Sequence, residues 1–350
     1  MKTKGRISIV AVTLAAMCVA VSVFNCGPSK PRLFIYNWAY YIPDEVISDF
    51  EKIYGVKVVY DIIGTNEEMY TKLKVGKVQY DIVFPSGDHV SMMIKDDMLA
   101  EIDNDQIPNL MHFDQSILDR MKHDPEFRYS VPYVMGAAGV TLNTSMVDEY
   151  EESWRIFENP TLWGRMTLLD DMREVLGAAL KTLSYSINTT DETELQEAKQ
   201  LVSKWREGIT KFDAEAFGKG FAAGEFWAVH SYVENVYEEL DGDSLALANT
   251  KFFIPKEGGP MYVDNMVIMK NARNYDLAHQ FINYLHEPSV YAKIMDYFLL
   301  PSIVNIPARD LMEEEPLYNV EDLENCEFIE DLGEFIELYN KIWQEIRVGR

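Results

Sequence analysis

The chain has 350 residues, of which 57 are Asp or Glu and 32 are Lys or Arg, for a formal net charge of −25. That surplus repels phosphate backbones and excludes nucleic acid as a partner, while a cationic small ligand would be attracted. A hydrophobic content of 47% excludes wholesale disorder, and the length suits about two domains of roughly 150 residues each.

The first residues read as an address. Lys2, Lys4 and Arg6 form a positive segment, and an apolar run over 7–24 follows, broken by Ser8, Thr13 and Ser22. This is the pattern of a secretory signal over residues 1–25, with a polar, turn-rich linker over 26–31. The run is also just long enough to cross a bilayer, so a retained anchor is the alternative. Cys26 sits where the apolar segment meets the linker, with Val23 three positions before it and Asn25 directly before it. The arrangement resembles a bacterial lipoprotein cleavage site, of the relaxed kind found in spirochaetes. It implies a mature chain tethered outside the cytoplasm through a lipid on Cys26. Three cysteines are too few for a disulfide framework, and removal of the signal would leave Cys326 without an internal partner.

Strand and helix patterns then alternate. Residues 33–37 predict a short apolar strand. Pro43 and Asp44 open a helix in which Val46, Ile47, Phe50, Ile53 and Tyr54 recur at helical spacing, and Gly55 ends it. A β-branched strand over 56–63, a helix over 66–75 and a strand over 80–84 complete a βαβαβ unit. Such a unit demands a mostly parallel sheet with helices on its faces. Residues 166–169 predict another strand, after which Asp170 caps a helix with Val175, Leu176, Ala179 and Leu180 inward. A helix over 191–205 and a strand over 226–231 follow. A strong strand over 261–269, a helix with Leu277, Phe281 and Leu285 on one face, and a last helix from about Gly333 close the chain.

The usual signatures of catalysis are missing. The six histidines are scattered without close ligand pairs, so no metal site is expected. There is no phosphate-binding glycine loop, no GxGxxG after a strand and no nucleophile elbow. Neither an enzyme nor a cofactor is expected.

In an open α/β sheet, ligands bind beyond the carboxyl ends of the strands. Trp38 and Tyr41 follow the first strand. Ser86 and Asp88 follow the strand ending at 84. Asp170, Asp171 and Glu174 follow the strand ending at 169, and Tyr232 follows the one ending at 231. Rings and carboxylates without Lys or Arg suit an organic cation. Asp264 is the sharpest single feature, because it interrupts the otherwise apolar strand Tyr262-Val263-Asp264-Asn265-Met266-Val267-Ile268. By alternation it shares a face with Tyr262. A lone carboxylate there is costly without a positive partner. Structural alternatives exist for each residue: Asp170 as a cap, Asp171 and Glu174 as partners of the helix dipole, Trp38 and Tyr41 as core, and Asp264 paired with an internal base.

Several blocks in order resemble the spermidine/putrescine-binding proteins of bacterial ABC transporters. They include Phe34-Ile35-Tyr36-Asn37-Trp38-Ala39-Tyr40-Tyr41, Tyr80-Asp81-Ile82-Val83-Phe84-Pro85-Ser86, Leu168-Leu169-Asp170-Asp171-Met172-Arg173-Glu174-Val175, and Pro255-Lys256-Glu257-Gly258-Gly259. The resemblance implies a two-lobed periplasmic-binding-protein type II fold. One lobe would span 32–135 and 258–302, the other 136–257 and 303–350, with crossings near 134–137, 256–260 and 300–306. It implies a monomer that delivers a polyamine to an inner-membrane permease. On the family pattern Trp38 and Tyr41 belong to an aromatic box and Ser86 offers a hydroxyl. Asp171 and Glu174 meet one terminal ammonium, and Asp264 meets another amine with Tyr262 stacked on the methylenes. Tyr232 and Tyr262 stand where the family usually has Trp, and Asp88 stands where a common member has Tyr. Ile329 replaces a late glutamine contact. A same-fold binder of a quaternary ammonium compound or ferric ion is the alternative, and an amine-acting lipoprotein enzyme is the rival from another class.

Overall fold

The computed structural model describes residues 30–39 and 41–349, so the signal segment, Cys26 and Tyr40 lie outside the described residues. Eleven strands form two sheets. They are β1 (Arg32–Asn37), β2 (Lys57–Ile62), β3 (Ile82–Val83), β4 (Ser130–Ala137), β5 (Gly139–Asn143), β6 (Met166–Leu168), β7 (Ile209–Phe212), β8 (Ala228–Ser231), β9 (Thr250–Phe253), β10 (Pro260–Ile268) and β11 (Glu327–Phe328).

The opening βαβαβ unit forms as its hydrophobic spacing predicts. The first helix, Asp44–Tyr54, buries Val46 and Phe50 and stops at Gly55, whose φ of 66° suits a residue without a Cβ. The second helix, Asn66–Val75, is capped by Thr65, which accepts from the Glu68 amide. β1 therefore lies between β2 and β3, parallel to both. β10 joins antiparallel to β3 and continues the sheet to β4 on one side and β11 on the other. The second sheet runs β7-β6-β8-β5-β9. Its β6 is parallel to β7 and β8, whereas β5 is antiparallel to β8 and β9. Both sheets are thus mixed: the units with helical crossovers are parallel, and the strands that pass between lobes are antiparallel.

Each sheet carries its own core. Leu33, Ile35, Phe50, Phe84, Tyr133, Met266 and Phe281 lie in one cluster of the first lobe, and Tyr36, Met69, Val83 and Val267 fill a smaller one. Trp154, Leu168, Leu176, Trp205, Phe226 and Trp343 fill the second lobe. The chain crosses between β4 and β5, then between β9 and β10, and a third time after β11. That third crossing differs from the sequence-based division, which ends the first lobe at 302. Ile303, Val304, Ala308, Tyr318, Leu323 and Phe328 bury in the first core. β11 also pairs with β10 through Pro260↔Glu327 and Met261↔Phe328. Only the last helix, Ile336–Val348, returns to the second lobe, through Tyr339, Ile342, Trp343 and Ile346.

β11 and the segment just after it are gripped from both sides. Lys95 and Lys122 of the first lobe reach Asp331 and Glu330 at 2.5 and 2.7 Å. From the second lobe, Lys181 reaches Glu327 at 2.8 Å and Arg173 donates to the Glu330 carbonyl at 2.9 Å.

The second crossing depends on one glycine. Gly258 has φ +76°, and a Cβ there would fall 2.1 Å from the Asn325 carbonyl oxygen. Its own carbonyl accepts from Trp154 Nε1 at 2.7 Å. Gly258→Ala is expected to destabilise the protein by about 2 kcal/mol or more, measured by urea unfolding. An unchanged midpoint would show that the crossing relaxes freely.

Candidate functional site

Asp264 is 7% exposed and sits in β10 at a register shift against β4 between Asp264 and Asn265. The partner opposite Asn265 is Pro132, which has no N–H to give. The extra residue of this bulge is Tyr133 of β4, between Pro132 and Val134, and Asp264 on the unbulged strand reaches the loops at the ends of β1 and β3. Tyr41, four residues beyond β1, donates its hydroxyl to Asp264 Oδ2 at 2.5 Å. Ser86, just beyond β3, donates to Asp264 Oδ1 at 2.7 Å. Ser86 stands at the cap position of the helix Gly87–Lys95 without capping it, so its hydroxyl is diverted to the carboxylate. Asn66 fixes that serine in turn: Asn66 Nδ2 donates to Ser86 Oγ at 3.0 Å and Oδ1 accepts from the Ser86 amide at 3.2 Å. Tyr133 donates to the Tyr41 carbonyl at 2.7 Å, and its ring meets Tyr41 edge-on at 5.5 Å.

Both hydrogen bonds to Asp264 come from neutral hydroxyls. Burial pushes its carboxyl up to about 6, against the pull of those two bonds. The sequence alternative of an internal basic partner is therefore not what the structure has.

The second lobe supplies the opposing group. Asp171, not Asp170 as the sequence reading has it, is the N-cap of the helix Met172–Thr182. It accepts from the Arg173 and Glu174 amides at 2.8 and 3.0 Å, both through Oδ1. The strand ends one residue earlier than expected, which moves the cap along by one; Asp170 instead pairs with Arg347 at 3.2 Å. Glu174, 1% exposed, accepts from the Tyr232 hydroxyl at 3.3 Å through Oε1, while its Oε2 has no hydrogen-bond partner. His230 Nε2 lies 3.9 Å away but is neutral, because burial pushes its pKa down to about 3. Burial, reinforced by the Asp171 charge, raises Glu174 well above the usual carboxylate range. Arg173 lies between the two acids in sequence but turns away, to the Glu330 carbonyl and to Asn188 Oδ1 at 2.6 Å.

Two tyrosines join these halves. The Tyr232 and Tyr262 rings meet edge-on with centroids 5.8 Å apart. Tyr262 pairs with Gly136 across β4, where a Cβ would come within 2.4 Å of the tyrosine oxygen. Glycine there leaves room for the ring. Sequence-predicted Tyr41, Ser86, Tyr262 and Asp264 of the first lobe thus converge with Glu174, Tyr232 and, beside them, Asp171 of the second.

Trp38 and Asp88 stand apart. Trp38 packs against both first-lobe clusters, its carbonyl accepts from Tyr60, and its indole Nε1 is buried without a partner. Asp88 lies 3.1 Å from His89 Nδ1. Burial pushes Asp88 up, but His89 and the Arg173 charge outweigh it and leave the carboxyl below its ordinary value. Sequence reasoning missed Asn66, whose place at the start of the second helix gave no sign that it reaches Ser86.

A family model for bacterial extracellular solute-binding proteins matches residues 45–319. The spermidine/putrescine-binding periplasmic protein of Escherichia coli is 32% identical over 350 residues, covering 96% of this chain and 97% of that protein. The putrescine/cadaverine-binding protein of Pseudomonas aeruginosa is 31% identical over 263 residues, or 73% and 74% of the two chains. The TpPotD lipoprotein of Treponema pallidum superposes with a TM-score of 0.88 at 42% identity, covering 91% of this chain and 99% of that one. The spermidine/putrescine ABC transporter substrate-binding protein PotD of Streptococcus pneumoniae superposes with a TM-score of 0.83 at 28% identity, with the same coverage.

The raised carboxyls fix the sign of their own contribution to the pH dependence of stability. A carboxyl whose folded pKa exceeds its unfolded value contributes stability below the unfolded pKa and loses it as pH rises through the folded one. For Asp264, at about 6 when folded, the loss between pH 5 and 7.5 is about 1 kcal/mol. Asp264→Asn is expected to remove that much of the slope in urea unfolding across this window. Identical slopes in the two proteins would show that Asp264 ionises in the fold without cost.

Proposed function

The chain belongs to the family of bacterial extracellular solute-binding proteins, and on that premise we propose that it captures a polyamine between its lobes and delivers it to an ABC transporter permease. It is a binding component, not an enzyme. The observation that carries the reading is a pair of buried acids, Asp264 and Glu174, that face each other across two tyrosine rings with no basic side chain of the protein bonded to either. Unpaired buried acids are costly, and a multi-amine guest supplies both missing charges at once.

In this reading one terminal ammonium meets Glu174 and Asp171, and the other meets Asp264 beside Tyr41 and Ser86. The methylenes lie against Tyr232 and Tyr262. Asp88 acts at a distance, because its charge raises the Asp264 carboxyl. Each ring contributes about 0.5–2 kcal/mol and each charged hydrogen bond roughly 1.5–3 before desolvation is subtracted. A net of about −8 kcal/mol, or micromolar binding, is consistent with those magnitudes.

The ligand acts on the hinge through differential contacts. A diamine held by Glu174 alone would not favour closure, whereas one that also reaches Asp264 stabilises only the state with both lobes together. The permease then meets the closed protein. The mature protein is proposed to act as a monomer in the periplasm, held to a membrane by a lipid on Cys26; mass spectrometry of the mature N-terminus tests the attachment.

Titration calorimetry with spermidine, putrescine, glycine betaine and ferric ion tests the ligand class. The linear amines are expected to bind and the others not. Asp264→Ala is expected to cost about 2–5 kcal/mol of amine binding, because two hydroxyls lose their acceptor and the ammonium loses its counter-charge. An unchanged dissociation constant would remove Asp264 from the site.

A further inference from the structure

His230 takes no part in the binding scheme above. It lies in β8, wholly buried, and neither of its ring nitrogens has a hydrogen-bond partner. Its ring meets Trp154 edge-on at 4.7 Å, and Trp154 is itself held by its indole N–H to the Gly258 carbonyl. Nε2 faces Glu174 Oε2 at 3.9 Å, and that oxygen is also without a partner. The hydroxyls beside them are engaged, Tyr232 with Glu174 Oε1 and Ser231 with Thr141. A buried nitrogen and a buried oxygen are each costly to leave unmet, and here the two face each other. The gap exceeds a hydrogen bond, but a movement of about 1 Å at the carboxyl closes it.

We infer that His230 is the positioning residue of Glu174, holding the acid by Oε2 through Nε2 and reversing the direction of that hydrogen bond when an ammonium arrives. The inference rests on the polyamine reading above and deepens it. A neutral imidazole has one N–H and one bare nitrogen, so Nε2 accepts in one tautomer and donates in the other. In the empty cleft Glu174 keeps its proton and Oε2–H donates to Nε2, with the ring proton on Nδ1. With an ammonium beside it the acid is ionised, and Nε2–H donates to Oε2. The carboxyl proton ends on Nε2, and the Nδ1 proton is lost to solvent. One proton thus leaves per amine bound, and the imidazole is neutral before and after. In both states Oε2 is tied back into the second lobe, and Oε1, on Tyr232, is the oxygen left to face the cleft. The ring suits this task because burial pushes its pKa down to about 3, so it adds no positive charge against the amine. A lysine or arginine there would neutralise the acid and leave the ligand nothing to balance.

The titratable groups that bear on Glu174 are Asp171 and Arg173 from its own helix, Tyr232 after β8, Tyr262 from β10 and Cys326 before β11. Burial, and then the Asp171 charge, hold its carboxyl well above the usual range, against the Tyr232 bond and the Arg173 charge. The acid therefore keeps its proton to a higher pH than an exposed glutamate does. Since the amine needs the ionised form, its affinity rises with pH through this raised pKa.

The test is nitrogen NMR of the histidine-labelled protein, in which the His230 signals are found by their loss in His230→Gln. In the free protein at about pH 6, Nε2 should resonate as a bare nitrogen and Nδ1 as an N–H, and saturation with putrescine should exchange the two. Raising the pH of the free protein should bring the same exchange as Glu174 ionises. His286 is equally buried, against Phe113 and Tyr291, and no acid among the described residues acts on it, so it should keep one tautomer throughout. By calorimetry His230→Leu is expected to bind putrescine about tenfold more weakly, whereas His230→Gln, which keeps a donor and an acceptor, should stay within about threefold of wild type. A His230 tautomer that stays fixed under both amine and pH, or a His230→Leu protein that binds as wild type does, would overturn the inference and leave the polyamine reading intact. Failure of the wild type to bind putrescine or spermidine would instead overturn that reading, and the pH series of the free protein would still decide on His230. Should His230→Leu fail to fold, the wild-type spectra decide alone.

Discussion

Acids buried without bases are the constraint on which the rest of this molecule turns. Asp264 is met only by the hydroxyls of Tyr41 and Ser86, and Glu174 only by that of Tyr232. Hydroxyls satisfy the lone pairs but leave the charge, so each carboxyl stays protonated more readily than it would in water. The shortage of counter-charge is not a shortage of bases. Lys95, Lys122, Lys181 and Arg173 all bind β11 or the segment just after it. Arg173 is the clearest case. It is flanked in sequence by Asp171 and Glu174, yet its guanidinium is spent on the Glu330 carbonyl and Asn188. The protein keeps its cations for the lobe junction and leaves the cleft anionic.

The fold supplies the positions. Parallel β1 and β3 deliver Tyr41 and Ser86 to the same end of the first sheet, because parallel strands share a carboxyl end. Antiparallel β10 arrives from the other direction, and its register shift beside Pro132 brings Asp264 to the place where those two loops meet. The second lobe repeats the logic with β6 and β8, whose shared carboxyl end carries Asp171, Glu174 and Tyr232. Crossovers in each lobe point both strand ends at the same gap. That is why a site can be assembled from segments as distant in sequence as residues 41 and 264.

Much of this was legible in the residues. The opening βαβαβ unit announced itself through helical spacing and through the glycine that ends its first helix. Asp264 stood out because a single charge broke an apolar strand. What stayed hidden has physical causes. β4 and β5 are buried along almost their whole length, so they show no alternation to distinguish them from any apolar run. The cap at Asp171 was misplaced by one residue because Asp170 and Asp171 are equally good cap formers, and only the strand end decides between them. Residues 303–328 carry scattered apolar side chains with little regular structure, and no periodicity tells which core receives them.

A cleft of this kind is under tension as long as it is empty. Each buried acid would be more stable paired or exposed, and tyrosine hydroxyls offer neither remedy in full. Replacing the acids by apolar groups would relieve the free protein and abolish what a cation has to gain. The cost is carried by the large cores on either side, with Trp154, Trp205, Phe157 and Phe281 wholly buried. Because the acids lie on both lobes, full relief comes only from a guest that touches both, which in the proposed function couples charge compensation to hinge closure. Selectivity then follows from counting. The number of ammonium groups that the gap can neutralise depends on how many acids its two faces contribute, and the ring pair between them sets how far apart those charges sit.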